Sequence, residues 1–103
     1  MKVDITFDRQ KVERQGYPLT AVRETVKQNF EARGLRCVQE EDILSFTGSG
    51  GGDDFADLWS VIMGLLRTDW FPALAASCVW QDDNGTREDV LSQAWKVRDR
   101  RVT

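Results

Sequence analysis

The fold class can be inferred from residues 18–47, which read PLTAVRETVKQNFEARGLRCVQEEDILSFT. Four apolar residues recur there at spacings of three and four and therefore share one helical face: Leu19, Val22, Val26 and Phe30. Pro18 suits the first turn of a helix, and Gly34 supplies the left-handed residue that commonly ends one. The spacing predicts a helix over 18–33, with Phe30 in the core.

Strand patterns lie on both sides of this helix. Residues 35–39 and 43–47 flank the charged turn Glu40-Glu41-Asp42, which predicts a hairpin. The core residues expected from this hairpin are Val38, Leu44 and Phe46. Residues 2–8 alternate between apolar and polar side chains, which predicts a half-buried strand.

A second helix is predicted from Asp53 or Asp54 to Arg67, since aspartate favours helix starts. The residues expected to form its main apolar face are Phe55, Leu58, Ile62 and Leu65. Four further apolar residues widen that face: Trp59, Val61, Met63 and Leu66. This helix is therefore more apolar than one face of a small sheet requires.

The C-terminal part predicts strands at 74–81 and 86–91, joined by a turn containing Asn84-Gly85, and a short helix over 92–100. The alternative is one helix from Thr86 to Val97, with Thr86 and Asp89 as a capping pair. The element order predicts an α+β fold, a ferredoxin-like β-α-β-β-α-β core with an added C-terminal strand and short helix. We expect a single domain over 1–103, with a flexible Gly-rich loop at 48–52.

Composition narrows the functional classes. The chain is 41% hydrophobic and 30% charged, and its net charge of −3 is spread along the sequence. Such a balance creates no long-range field that would attract nucleic acid or an anionic membrane. The longest uncharged run, residues 70–81, is shorter than a bilayer-spanning helix. We therefore expect a cytoplasmic protein with no membrane partner.

Catalytic patterns are weak. The sequence has no histidine, which rules out Cys-His and Ser-His pairs, and Cys37 and Cys78 lie in apolar, strand-like contexts. The glycine loop at 48–52 does not match a phosphate-binding fingerprint. Three aspartates near the start of the second helix have helix capping as their simpler role, with cation binding left open: Asp53, Asp54 and Asp57. We expect a protein that is not an enzyme, with no cofactor and no assigned metal ligand.

The remaining feature of the sequence that could indicate a function is its excess of large apolar residues. Four tryptophans in a short chain, together with the apolar second helix, exceed what one small core readily hides. We predict a protein interface, either with another protein or in a homodimer, at Trp59, Met63, Leu66 and Trp70. The alternative is a nucleic-acid-binding accessory protein that uses Trp95, Arg98, Arg100 and Arg101.

Overall fold

The computed structural model describes residues 1–48 and 52–95, which form a five-stranded sheet with helices. The strands are β1 (Lys2–Phe7), β2 (Arg36–Glu40), β3 (Leu44–Thr47), β4 (Ala75–Gln81) and β5 (Arg87–Asp89). The helices are α1 (Arg9–Arg14), α2 (Leu19–Glu31), α3 (Asp54–Arg67) and α4 (Trp70–Leu74), and residues 90–95 are also helical. Residues 49–51, within the predicted flexible loop at 48–52, lie outside the described residues.

The sheet is antiparallel throughout, in the order β2-β3-β1-β4-β5. Its central strand β1 alternates as predicted, so that one face of the sheet is apolar. Val3 lies opposite Phe46 on one side and Trp80 on the other, and all three side chains are buried. Ile5 lies opposite Cys78 in the same apolar layer. The helices pack on this face.

The helix predicted over 18–33 is confirmed as α2. Val22, Val26 and Phe30 are buried, as their spacing indicates. The rings of Phe30 and Phe46 stack with centroids 4.1 Å apart, which joins α2 to the centre of the sheet. Gly34 has φ of 77°, and α2 ends at Glu31, three residues before it.

Helix α1 is absent from the elements predicted from the sequence, because residues 9–17 are mostly polar. The Asp8 carboxylate starts this helix by accepting hydrogen bonds from the Gln10 and Lys11 N–H groups, at 3.0 and 3.3 Å. Val12 is the buried residue of α1. One apolar side chain in six residues leaves no detectable periodicity, so only the cap indicates the helix.

The predicted strand at 86–91 is wrong in its extent. β5 ends at Asp89, and residues 90–95 are helical. The Asp89 carboxylate accepts hydrogen bonds from the Leu91 and Ser92 N–H groups, at 3.1 and 3.3 Å, and so caps this helix itself. Val90 and Leu91 are buried, and they belong to this helix and not to the predicted strand.

Two residues assigned to the core lie at the surface. Val38 is 52% exposed, because its neighbour Cys37 lies opposite Phe46 on the apolar face and alternation along β2 turns Val38 to the other face. Phe55, assigned to the main apolar face of the second helix, is 55% exposed. In contrast, Leu44 and Phe46 are buried as predicted.

The structure is therefore α+β, with helices on one face of an antiparallel sheet. Its five-stranded order and the additional helices α1 and α4 extend beyond the simple β-α-β-β-α-β unit. Within residues 1–48 and 52–95, no helix combines the length and apolar character that crossing a membrane requires.

Candidate functional site

The residues at the two ends of α3 explain where the helix begins and stops. Asp54 and Asp57 place negative charge in its first turn, beside the positive end of the helix dipole. At the other end, the Thr68 hydroxyl donates a hydrogen bond to the Leu65 carbonyl at 2.7 Å and accepts one from the Phe71 N–H at 3.1 Å. Thr68 thus ends α3 and positions α4.

The inner face of α3 is buried in the core. Its buried residues are Leu58, Val61, Ile62, Leu65 and Leu66. Leu66, one of the predicted interface residues, therefore packs inside the domain. Trp70, another of them, is half-buried on α4 and belongs to a different surface.

The outer side of α3 carries large apolar residues spaced by four. Phe55 is 55% exposed, Met63 is 41% exposed, and Trp59 between them is half-buried. Residues four apart lie on the same side of a helix, so these three form one continuous line. We call Phe55, Trp59 and Met63 the α3 stripe. It brings together Trp59 and Met63 from the sequence prediction and adds Phe55.

Aromatic contacts hold one end of the α3 stripe against the sheet. The Trp59 ring lies 5.0 Å from the Trp80 ring, and Phe55 contacts Trp80 edge-on at 5.8 Å. Trp80 is buried, so Phe55 and Trp59 are anchored side chains. The Trp59 Nε1 atom is buried without a hydrogen-bond partner among the described residues.

Beside the α3 stripe runs a row of small, exposed residues: Ala56, Ser60 and Gly64. A Cβ atom on Gly64 would meet no described atom outside its own helix within 4 Å. Packing within the described chain therefore does not require glycine at this position. Glycine inside a helix costs about 0.5–1 kcal/mol relative to alanine.

The ends of the same surface carry opposite charges. Asp53 is exposed where α3 begins, and Arg67 is exposed in its last turn. Asp57, one of the aspartates considered as cation ligands, instead lies 3.9 Å from the Arg33 guanidinium. Among the described residues, no group of three or more Cys, Asp or Glu side chains is placed to hold a metal ion.

A second apolar feature is a groove of ≈ 260 Å³ beside α2. Its lining residues are Tyr17, Ala21, Val22, Thr25, Trp70 and Leu74. Trp70 therefore faces this groove and is separate from the α3 stripe. Sequence reasoning missed Tyr17, because an isolated aromatic in a polar segment carries no periodic signal.

Charged residues of α2 link this helix to the β2–β3 turn through an ion pair and hydrogen bonds. Lys27 forms an ion pair with Glu40, and the Arg23 guanidinium donates hydrogen bonds to the Glu40 and Glu41 carbonyls. The hydrogen bond between Lys27 and Glu40 raises the pKa of Lys27 and lowers that of Glu40. Both groups are therefore charged at neutral pH.

The two thiols are kept protonated by their surroundings. Burial raises the pKa of Cys78 to about 12, and burial also raises the pKa of the half-buried Cys37. A thiol acts as a nucleophile in its thiolate form, which both environments disfavour at neutral pH.

The face of the sheet opposite the helices is polar. The Asp4 carboxylate accepts a hydrogen bond from the Ser45 hydroxyl at 2.6 Å and lies 3.5 Å from the Arg87 guanidinium. The hydroxyls of Thr6 and Ser77 form another hydrogen bond, at 2.6 Å. In the paired strands, the residues on this face are hydroxyl, amide and charged groups with Val79. The described part of this face offers no aromatic ring on which a nucleic-acid base could stack.

Trp95 is the described member of the predicted nucleic-acid contact, and it is 40% exposed. Arg98, Arg100 and Arg101 lie outside the described residues.

Comparison of the chain with protein-family models, with curated proteins and with solved structures finds no match. The function proposed below therefore rests on the arrangement of the α3 stripe.

Proposed function

We propose that this protein is a small, non-catalytic interaction module that docks another protein chain through the α3 stripe. The observation that supports this is the exposure of Phe55 and Met63 on a helix whose opposite face is already buried. Large aromatic and Met side chains are enriched at protein interfaces. Their grouping in one line favours docking over the scattered apolar exposure that is ordinary at protein surfaces.

The anchoring of the α3 stripe supports the same function. Phe55 and Trp59 pack against the buried ring of Trp80, so their conformational freedom is already reduced before any partner arrives. Binding through pre-ordered side chains loses less entropy than binding through mobile ones. The α3 stripe has the properties of a prepared contact surface.

We also propose that the core is ferredoxin-like. Support comes from the strands β1 to β4, in which β3 separates β1 from β2, and β1 separates β3 from β4. Helices connect each of these separated pairs, as in a split β-α-β arrangement. β5 and the helical residues 90–95 are then additions at one edge. We further propose a cytoplasmic location, which is compatible with the free thiols of Cys37 and Cys78.

The test of docking uses the two exposed members of the α3 stripe. Phe55→Ser and Met63→Lys should each reduce binding of the captured host partner, or self-association, by about tenfold or more. The free energy of unfolding in urea should change little. Trp59 is less suitable, because it is more buried than Phe55 or Met63 and its loss would also destabilise the fold.

Val38→Lys is the matched control, since Val38 has a similar exposure but lies on β2. Sedimentation measures self-association, and quantitative capture from host extract measures partner binding. The proposal fails if Met63→Lys and Val38→Lys leave both measurements unchanged or alter them equally.

One observation supports the alternative, a nucleic-acid accessory function: Trp95 is exposed and comes immediately before the basic C-terminal residues. Phosphate contacts weaken steeply as salt rises, whereas apolar docking does not. Fluorescence anisotropy with a labelled single-stranded oligonucleotide, at low and high salt, separates the two functions. Salt-sensitive binding that Trp95→Ala reduces would favour the alternative.

A further inference from the structure

We infer that the exposed side of α3, which Met63 of the α3 stripe borders, packs against α3 of a second copy of this chain, antiparallel about a two-fold axis at Ser60. This inference rests on the proposed docking function and names its partner. It follows from the placement of small residues and charges on the exposed side of α3.

The small residues are arranged symmetrically about Ser60. In an antiparallel pair centred there, Ser60 meets its own counterpart, and Ala56 of one copy meets Gly64 of the other. Residues four apart share a helix side, so all these contacts fall along one line. Two helices can approach closely along such a line because no large side chain separates their backbones.

Gly64 supports a close approach from outside the domain. Its environment contains no described atom that would obstruct a side chain, so packing within residues 1–48 and 52–95 does not explain the glycine. Glycine in a helix permits another backbone to come near. In the antiparallel pair, that backbone belongs to the second copy at Ala56.

The charges select both the second copy and its direction. Asp53 and Arg67 are exposed at opposite ends of the surface, about 21 Å apart along the axis at roughly 1.5 Å per residue. An antiparallel pair centred on Ser60 places Asp53 of each copy opposite Arg67 of the other. A parallel pair would instead place like charges together. The antiparallel arrangement also brings opposite ends of the two helix dipoles together.

Met63, the member of the α3 stripe nearest to Ser60 on the helix surface, completes the contact at its side. A two-fold axis between antiparallel helices keeps equivalent flanks on the same side of the pair. Met63, about 60° round the helix from Ser60, then lies on the flank beside Ala56 of the other copy, whereas Phe55, about 140° away from Ser60, stays outside the contact against Trp80 of its own chain. One helix pair about 21 Å long is a small interface, so we expect a reversible dimer with a micromolar dissociation constant.

The first test exchanges the charges. Asp53→Arg and Arg67→Asp should each weaken self-association by about tenfold in sedimentation equilibrium, because each variant places two like-charge contacts in its homodimer. An equimolar mixture of the two variants should restore dimers at the wild-type level, since the arginine introduced in one variant then meets the aspartate introduced in the other. Glu13→Arg and Arg14→Asp make comparable charge changes on exposed positions of α1 and should have no effect. Circular dichroism confirms that each variant is folded.

The second test uses the symmetry at Ser60. In a Cys37→Ser background, Ser60→Cys should form a covalent dimer when diamide oxidises the two thiols to one disulfide and is itself reduced to the hydrazide. The two Cα atoms must be within about 7 Å for this bond, which a close antiparallel pair allows. Ser92→Cys, also exposed, is the control and should cross-link far more slowly.

The outcomes separate this inference from the proposed function. Restored dimers in the mixture, together with rapid cross-linking at position 60, support it. A wild type that is monomeric at millimolar concentration overturns it, as does a mixture that does not recover. If the wild type is monomeric but Met63→Lys still abolishes capture of a host protein, docking through the α3 stripe stands and only the second copy is wrong.

Discussion

Helices α2 and α3 cover the same face of the same sheet, but their outer sides differ. α2 presents charged residues to solvent, including Glu24 and Glu31, with Lys27 beside them. α3 presents Phe55 and Met63. Covering a sheet requires an apolar arc on one side of a helix only. The outer side of α2 is suited to water, whereas α3 leaves two large apolar side chains exposed.

Both α2 and α3 should close over a core that excludes solvent. The reactivity of the buried Cys78 thiol tests whether they do. Burial raises its pKa to about 12, so it should react with Ellman's reagent at pH 8 only when the domain opens. We expect its reaction to be at least about a thousandfold slower than that of Cys37. In urea above the unfolding midpoint, both thiols should react quickly. Equal rates in native buffer would contradict a sealed core.

Phe30→Ala tests the inner side of α2. The ring is fully buried and stacks on Phe46, so its loss should lower the free energy of unfolding by about 3–5 kcal/mol. Urea unfolding followed by far-UV circular dichroism measures the change. A loss below about 1 kcal/mol would show that this face of α2 is assigned wrongly.

Phe55→Ala is the corresponding change on the outer side of α3. Because this ring is half exposed, we expect a loss of about 1 kcal/mol or less in the same unfolding experiment. The difference between Phe30→Ala and Phe55→Ala measures the contrast between the two helix surfaces. Similar losses would mean that Phe55 is part of the core, and the contrast would disappear.

The smallest effect concerns the charged surface of α2. Lys27 lowers the pKa of Glu40 below its ordinary value of 4.5, so Glu40 contributes stability above that pH and loses it as pH falls through the lowered pKa. Glu40→Gln should therefore be slightly less stable than the wild type at pH 7. The difference should vanish near pH 2. If the wild type and Glu40→Gln differed more in stability at low pH than at pH 7, the result would contradict a stabilising ion pair at Glu40.

Local patterns in the sequence predict α2 and β1 well, because each has one periodicity and one apolar side. The same reasoning missed α1, whose single buried residue, Val12, is too little for a pattern. It also misplaced Val38, because Cys37 pairs with Phe46 and therefore Cys37, and not Val38, faces the core. Part of the candidate site was predicted: Trp59 and Met63 lie together, whereas Leu66 is buried and Trp70 lies elsewhere.

By itself, the sequence determined the α+β class, the position of α2 and the excess of apolar residues on α3. These properties follow from composition and from spacing along the chain, which need no knowledge of distant contacts. Only the tertiary structure decided which residues of α3 face solvent. A helix that is apolar around most of its circumference has no unique inner face, so the sheet and Trp80 determine it. That packing turned Val61 and Leu66 inward and left Phe55 outside.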